Sequence, residues 1–74
     1  MQAHILAVME SWPPQLLLLL DRGERAVVAL SETATVIAKG RGVGLAGLQV
    51  GQLVELDLMS SAPAIVQAVR ILSP

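Results

Sequence analysis

The run Gln15-Leu16-Leu17-Leu18-Leu19-Leu20-Asp21-Arg22-Gly23-Glu24-Arg25-Ala26-Val27-Val28-Ala29-Leu30 admits two opposite readings. Leucine favours helix over strand, so the first half taken alone suggests a rod. The leucine segment, however, is hemmed between Pro14 and Gly23 and is too short for a helix to repay its nucleation cost. Asp21-Arg22-Gly23-Glu24 places a glycine where a tight turn needs positive φ, and it joins two apolar runs at hairpin distance. The stretch therefore reads as a β-hairpin, with Gln15 to Asp21 returning through Arg25 to Leu30.

Punctuation on either side extends the same reading. Upstream, Ala3 to Glu10 has strand length and carries Ile5, Leu6 and Val8; it stops at Ser11-Trp12-Pro13-Pro14, where two prolines cannot donate ladder hydrogen bonds. Downstream, Ser31-Glu32 breaks the chain before Thr33 to Ala38, whose β-branched Thr33, Thr35, Val36 and Ile37 favour extended structure. Gly40 to Gly51 holds five glycines in twelve residues, which predicts a loop. Within it one short helical turn near residues 45–49 is expected to fold Leu45, Leu48 and Val50 inward as a plug. Gln52 to Met59 has the clearest period of two, with Val54, Leu56 and Leu58 facing one way and Glu55 and Asp57 the other. Ser60-Ser61-Ala62-Pro63 makes the next turn. Ala64 to Leu72 is the last strand, and a bulge is needed to bring Gln67 and Arg70 to one face.

Five or six short strands with frequent turn signals suit a barrel or a sandwich, and 74 residues are few for a sandwich. The expected architecture is a single all-β domain over residues 1–74, a small five- to six-stranded OB-like barrel.

The order of these pieces resembles small bacterial OB-like barrel domains of unknown function, often found in envelope or secreted proteins. Three segments carry the likeness: the first strand with its return through Leu16 to Glu24, the strand Thr33-Ala34-Thr35-Val36-Ile37, and the element Leu45-Ala46-Gly47-Leu48-Gln49-Val50-Gly51-Gln52-Leu53-Val54-Glu55-Leu56. The last, a Leu-x-x-Leu-x-x-Gly turn leading into a strand, is the most specific. The resemblance covers nearly the whole chain and implies a fold, not an activity. A weaker similarity to small molybdate-binding barrels rests on a Leu-x-Val-Gly turn before the fourth strand; the serine-arginine-asparagine opening of that family is missing here.

Composition narrows the function. Hydrophobic residues make up 54% of the chain and aromatic ones 1%, so Trp12 is the lone ring in an aliphatic sequence. A body this small has much surface for its volume, and some of those aliphatic side chains are expected to face outward, where a contiguous patch marks a partner surface. The net charge of −1 is the wrong balance for a protein that lives on phosphate backbone. With no cysteine there is neither disulfide nor thiolate metal site. Leu16 to Leu20 is far shorter than the roughly 20 residues of a membrane-spanning helix. The opening Met1-Gln2-Ala3-His4 lacks the cationic start of a secretory signal. The chain reads as cytoplasmic, with an envelope or secreted place following only if a signal segment has been removed.

Chemistry-bearing motifs are sparse. Gly42-Val43-Gly44-Leu45-Ala46-Gly47 matches G-x-G-x-x-G in letters, yet dinucleotide binding needs a full helix after it and a longer βαβ unit, for which Gly51 leaves no room. Lys39 and Arg41 flank that stretch, where glycine-loop N–H groups offer an anion nest; Glu55 and Asp57 offer a shared cation site. His4 alone makes no metal site. Ser11, Ser31, Ser60, Ser61 and Ser73 are expected in turns or at the terminus, without a nucleophile elbow.

No cofactor and no enzyme activity is expected. The expected function is that of a non-catalytic interaction or structural module that self-associates or docks a protein partner through aliphatic surface, with Trp12 as anchor. The competing readings are weak single-stranded nucleic-acid binding, for which Arg22, Arg25, Lys39 and Arg41, together with Arg70, are the basic side chains available, and small-ion binding.

Overall fold

In a computed structural model, which describes residues 1–74, the Asp21–Glu24 segment turns the chain back as its glycine demands. Gly23 sits at φ 84°, its N–H donates to the Leu20 carbonyl at 2.9 Å, and the Leu20 N–H donates to the Glu24 carbonyl at 2.8 Å. Strand β2 (Gln15–Leu20) thereby lies antiparallel against the start of strand β3 (Arg25–Ala38), with Leu16 opposite Val28 and Leu18 opposite Ala26. Gly23→Val places a β-branched side chain at positive φ. This is expected to destabilise by about 1–2 kcal/mol, read as a thermal midpoint lower by several degrees; an unchanged midpoint would contradict this turn.

The remaining strands close the sheet on itself. Strand β1 (Gln2–Met9) lies antiparallel to β2, β5 (Leu53–Ser61) is antiparallel to both β1 and β6 (Ala64–Ser73), and β6 runs parallel to β3. Around the barrel the order is β1-β2-β3-β6-β5 and back to β1, with the two-residue β4 (Arg41–Gly42) added to β3. The result is a closed five-stranded barrel of OB-like form plus one short extra strand. Every barrel strand contributes alternate side chains to one core: Ala3 and Ile5, Leu16 and Leu18, Val28, Leu30 and Val36, Val54 and Leu56, Val66 and Val69. Leu48, from the segment between β4 and β5, completes it.

The Ser31-Glu32 break does not end a strand. β3 continues through Ala38, but its pairing with β6 jumps from Leu30–Val66 to Thr35–Ala68, so four residues stand opposite Gln67 alone. Physical necessity explains the bend. Fourteen residues at roughly 3.3 Å each would run to about 45 Å, whereas the longest dimension of the molecule is 29 Å. The bulge is where one strand turns the barrel corner, and Ser31 Oγ accepts the Thr33 N–H there at 3.1 Å.

The expected bulge in the last strand is present. Asp57 pairs with Ala68 and Leu58 with Val66, leaving Gln67 without a β5 partner. Val66 and Val69, three apart, are both buried, while Gln67 and Arg70 are both exposed.

Three further expectations need correction. Residues 40–51 are not wholly loop: Lys39 and Gly40, at φ 53° and 76°, form a two-residue hairpin turn that sets Arg41 against Ala38. The short helical turn exists, as a 3₁₀ turn at Leu45–Gly47, but only Leu48 enters the core; Leu45 and Val50 stay exposed. Of the serines expected in turns, Ser31, Ser60 and Ser61 lie on strands and Ser11 in a bend, while Ser73, expected at the terminus, is the last residue of β6.

Candidate functional site

The aliphatic surplus has to go somewhere once the small core is full. Part of it lies on the outside of β1–β2–β3, where Ala7, Leu17 and Val27 stand in one cross-strand row. The more sharply shaped part lies beside Trp12, a residue 79% exposed on the loop between β1 and β2.

This loop is held in place. The Leu30 N–H donates to the Pro14 carbonyl at 2.8 Å, fastening the loop to β3, and the Ser11 hydroxyl donates to the Pro13 carbonyl at 2.7 Å. Opposite, the Val43 N–H donates to the Val36 carbonyl at 2.9 Å and fixes the start of the segment carrying Leu45. Between these two walls runs a groove. Trp12 and Pro13 form one side, Leu30, Ala34 and Val36 the floor, and Gly44 and Leu45 the other side, with Glu32 the only charged side chain lining it. The floor includes the bulged part of β3, so the backbone of Ser31 to Ala34 has no ladder partner on any neighbouring strand.

The far side of the same 43–47 segment forms a second apolar hollow with Ile71, Leu72 and Lys39. Gly47 permits close packing here, since a Cβ on it would fall 2.6 Å from Val43 Cγ2. The segment is braced from beneath by Gln52, only 7% exposed: its Oε1 accepts the Gln49 N–H at 2.8 Å and its Nε2 donates to the Gly47 carbonyl at 2.9 Å. In the sequence Gln52 stands out only as the first residue of the Gln52 to Met59 run. A polar side chain just after the Gly51 turn, in step with inward-facing Val54 and Leu56, was the available signal.

The basic candidates are not gathered at this groove. Arg22 and Arg25 lie at the hairpin that begins β3, interleaved with Asp21 and Glu24, while Lys39 and Arg41 lie past its other end; the length of β3 separates the two pairs. Arg70 pairs with Glu55 across β5 and β6, with the arginine side chain 62% exposed, and such surface pairs contribute about 0–1 kcal/mol. Asp57 accepts a hydrogen bond from Gln67 Nε2 at 2.9 Å. Both carboxylates of the suggested cation site thus have partners on β6, and no three His, Cys, Asp or Glu side chains cluster in metal-binding fashion. Within the G-x-G-x-x-G letters the structure has β4 and a three-residue 3₁₀ turn, not the helix that dinucleotide binding requires.

The fold and this surface define a class: a small closed β-barrel of OB-like form with an apolar groove beside an exposed tryptophan. No helix is long and apolar enough to cross a membrane. No protein-family model, curated protein or solved structure matches the chain.

Proposed function

We propose that this chain is a non-catalytic interaction module that docks a protein partner at the Trp12 groove. The observation that carries the reading is the exposure of Trp12 on a loop fastened to β3. A loop backbone held in place loses little conformational freedom on binding, and tryptophan is enriched among the few residues that dominate protein interfaces. The groove beside it offers aliphatic walls and unpaired β3 backbone, features suited to an extended apolar segment.

Trp12→Ala is expected to leave stability within about 0.5 kcal/mol, as for other exposed positions, and to weaken docking about 30-fold or more, the scale of an interface hot spot. The test compares proteins retained by the immobilised wild-type chain with those retained by the variant, then titrates the retained protein while following tryptophan emission. Trp12 is the only aromatic residue, so its blue shift reports the groove directly. A retained set indifferent to the substitution contradicts the reading. Single-stranded oligonucleotide at low salt is the competing titrant, and quenching by it that fades with added salt would favour the nucleic-acid reading instead.

A further inference from the structure

We propose that the occupant of the Trp12 groove is a short extended segment of the protein partner that carries an arginine, its guanidinium paired with Glu32 against Trp12 and its backbone bonded to Leu30 and Val36. The inference deepens the docking reading above and rests on it.

Each end of the open stretch of β3 holds only half of a strand pair. Hydrogen-bonded residues of an antiparallel ladder exchange two bonds. At one end the Leu30 N–H donates to the Pro14 carbonyl at 2.8 Å, and Pro14 returns nothing to the Leu30 carbonyl because proline has no N–H. At the other end the β3–β4 register sets Val43 opposite Val36. There the Val43 N–H donates to the Val36 carbonyl at 2.9 Å, and no bond runs from the Val36 N–H back to Val43. The two ends thus offer a partner an acceptor at Leu30 and a donor at Val36. They are close together because the bulge between them takes up chain length. Leu30 stands beside Val66 and Val36 beside Val69, which puts them three strand residues apart, about 10 Å. An extended segment of about three or four residues spans that distance. Main-chain bonds of this kind give affinity and leave selectivity to the side chains around them.

Those side chains supply one charge. Glu32 is the only charged residue lining the groove, it is exposed on the bulge, and no cation of this chain pairs with it, since the one ion pair in the structure is Arg70–Glu55. Complementary charge selects a cationic segment here and disfavours an acidic one; the same carboxylate opposes a nucleic-acid phosphate. Trp12 lines the groove with Glu32, and an indole attracts a cation over its face. Guanidinium is planar and weakly hydrated, so it stacks on a ring and bonds a carboxylate at the same time, whereas the lysine ammonium is a strongly hydrated point charge. Arginine is therefore the better fit.

Glu32 is exposed and in no ion pair, so Glu32→Gln and Glu32→Lys are expected to keep the thermal midpoint of the wild type. The immobilised full chain is offered a displayed library of short random peptides. The wild type is expected to enrich arginine among aliphatic residues, and Glu32→Lys to lose those peptides and enrich aspartate and glutamate. A synthetic peptide of the enriched sequence, titrated while following Trp12 emission, is expected to bind Glu32→Gln about tenfold more weakly. Replacing its arginine by glutamine should weaken it equally, with no further loss when the two changes are combined. Methylating its backbone nitrogens one at a time should weaken binding at the position that donates to Leu30. Neutral or acidic peptides enriched on the wild type and lost with Trp12→Ala overturn this proposal and leave the docking reading standing. A library that yields nothing above background overturns the extended occupant and leaves docking to a folded partner surface. Retention that Trp12→Ala does not change overturns both.

Discussion

Leu18→Ala is expected to destabilise the chain by about 2–5 kcal/mol, the range for truncating a fully buried leucine, and to leave it barely folded. Leu18 has no exposed surface and lies between Ile5 on β1 and Ala26 on β3, so the lost methyl groups leave a cavity that the closed wall has little freedom to collapse. A core of this size supplies only about 3–5 kcal/mol in total, and no disulfide supplements it. Urea denaturation is the measurement, with Leu17→Ala as the internal control. Leu17 belongs to the same run of leucines but faces outward and is only partly buried, so its truncation is expected to cost about 1 kcal/mol or less. Equal losses at the two positions would mean that the run does not alternate, and the hairpin reading would fail.

Gln52→Leu is expected to cost about 1–3 kcal/mol, although it replaces a polar side chain by an apolar one of similar volume. The substitution strips the Gln49 N–H of its acceptor and the Gly47 carbonyl of its donor, and an orphaned polar group loses its compensation for leaving water. Amide exchange locates the effect: the Gln49 N–H should exchange faster, and the 43–51 segment should loosen before the barrel does. Gln52→Glu keeps the acceptor but loses the donor and is expected to fall between. If Gln52→Leu is neutral or stabilising, Gln52 is not the brace described.

Much of the fold was legible because its determinants are local. Gly23 dictates a turn by its φ, Pro13 and Pro14 end a strand by lacking N–H groups, and Val54, Leu56 and Leu58 declare an inward face by their spacing. The bulge at Gln67 was legible for the same reason, since Gln67 and Arg70 cannot share one face without one. What stayed hidden is non-local. Ser31-Glu32 looks like a strand end because polar residues interrupt an apolar run, and only the need to fold a long strand within a small barrel turns that interruption into a bulge. β4 left no trace because two residues have no periodicity, and Lys39 is an unusual partner for Gly40 in a turn with positive φ at both positions.

The site was legible in part. The exposure of Trp12 follows from the prolines beside it, but the groove depends on the Leu30–Pro14 and Val43–Val36 hydrogen bonds, which join segments far apart in the chain. Arg22, Arg25, Lys39 and Arg41 could be named as cations from the sequence. That the length of β3 keeps them in two pairs could not.

The parallel contact between β3 and β6 is the step that turns a row of hairpins into a closed wall, and inter-strand nuclear Overhauser effects on the labelled chain test it most directly. The barrel requires cross-peaks that link Val36 with Val69 and Ala38 with Ile71, advancing in the same direction along both strands, together with Ala3–Val54 contacts across the β1–β5 seam. Cross-peaks that run in opposite directions along residues 35–38 and 68–71, or none between them, would contradict closure.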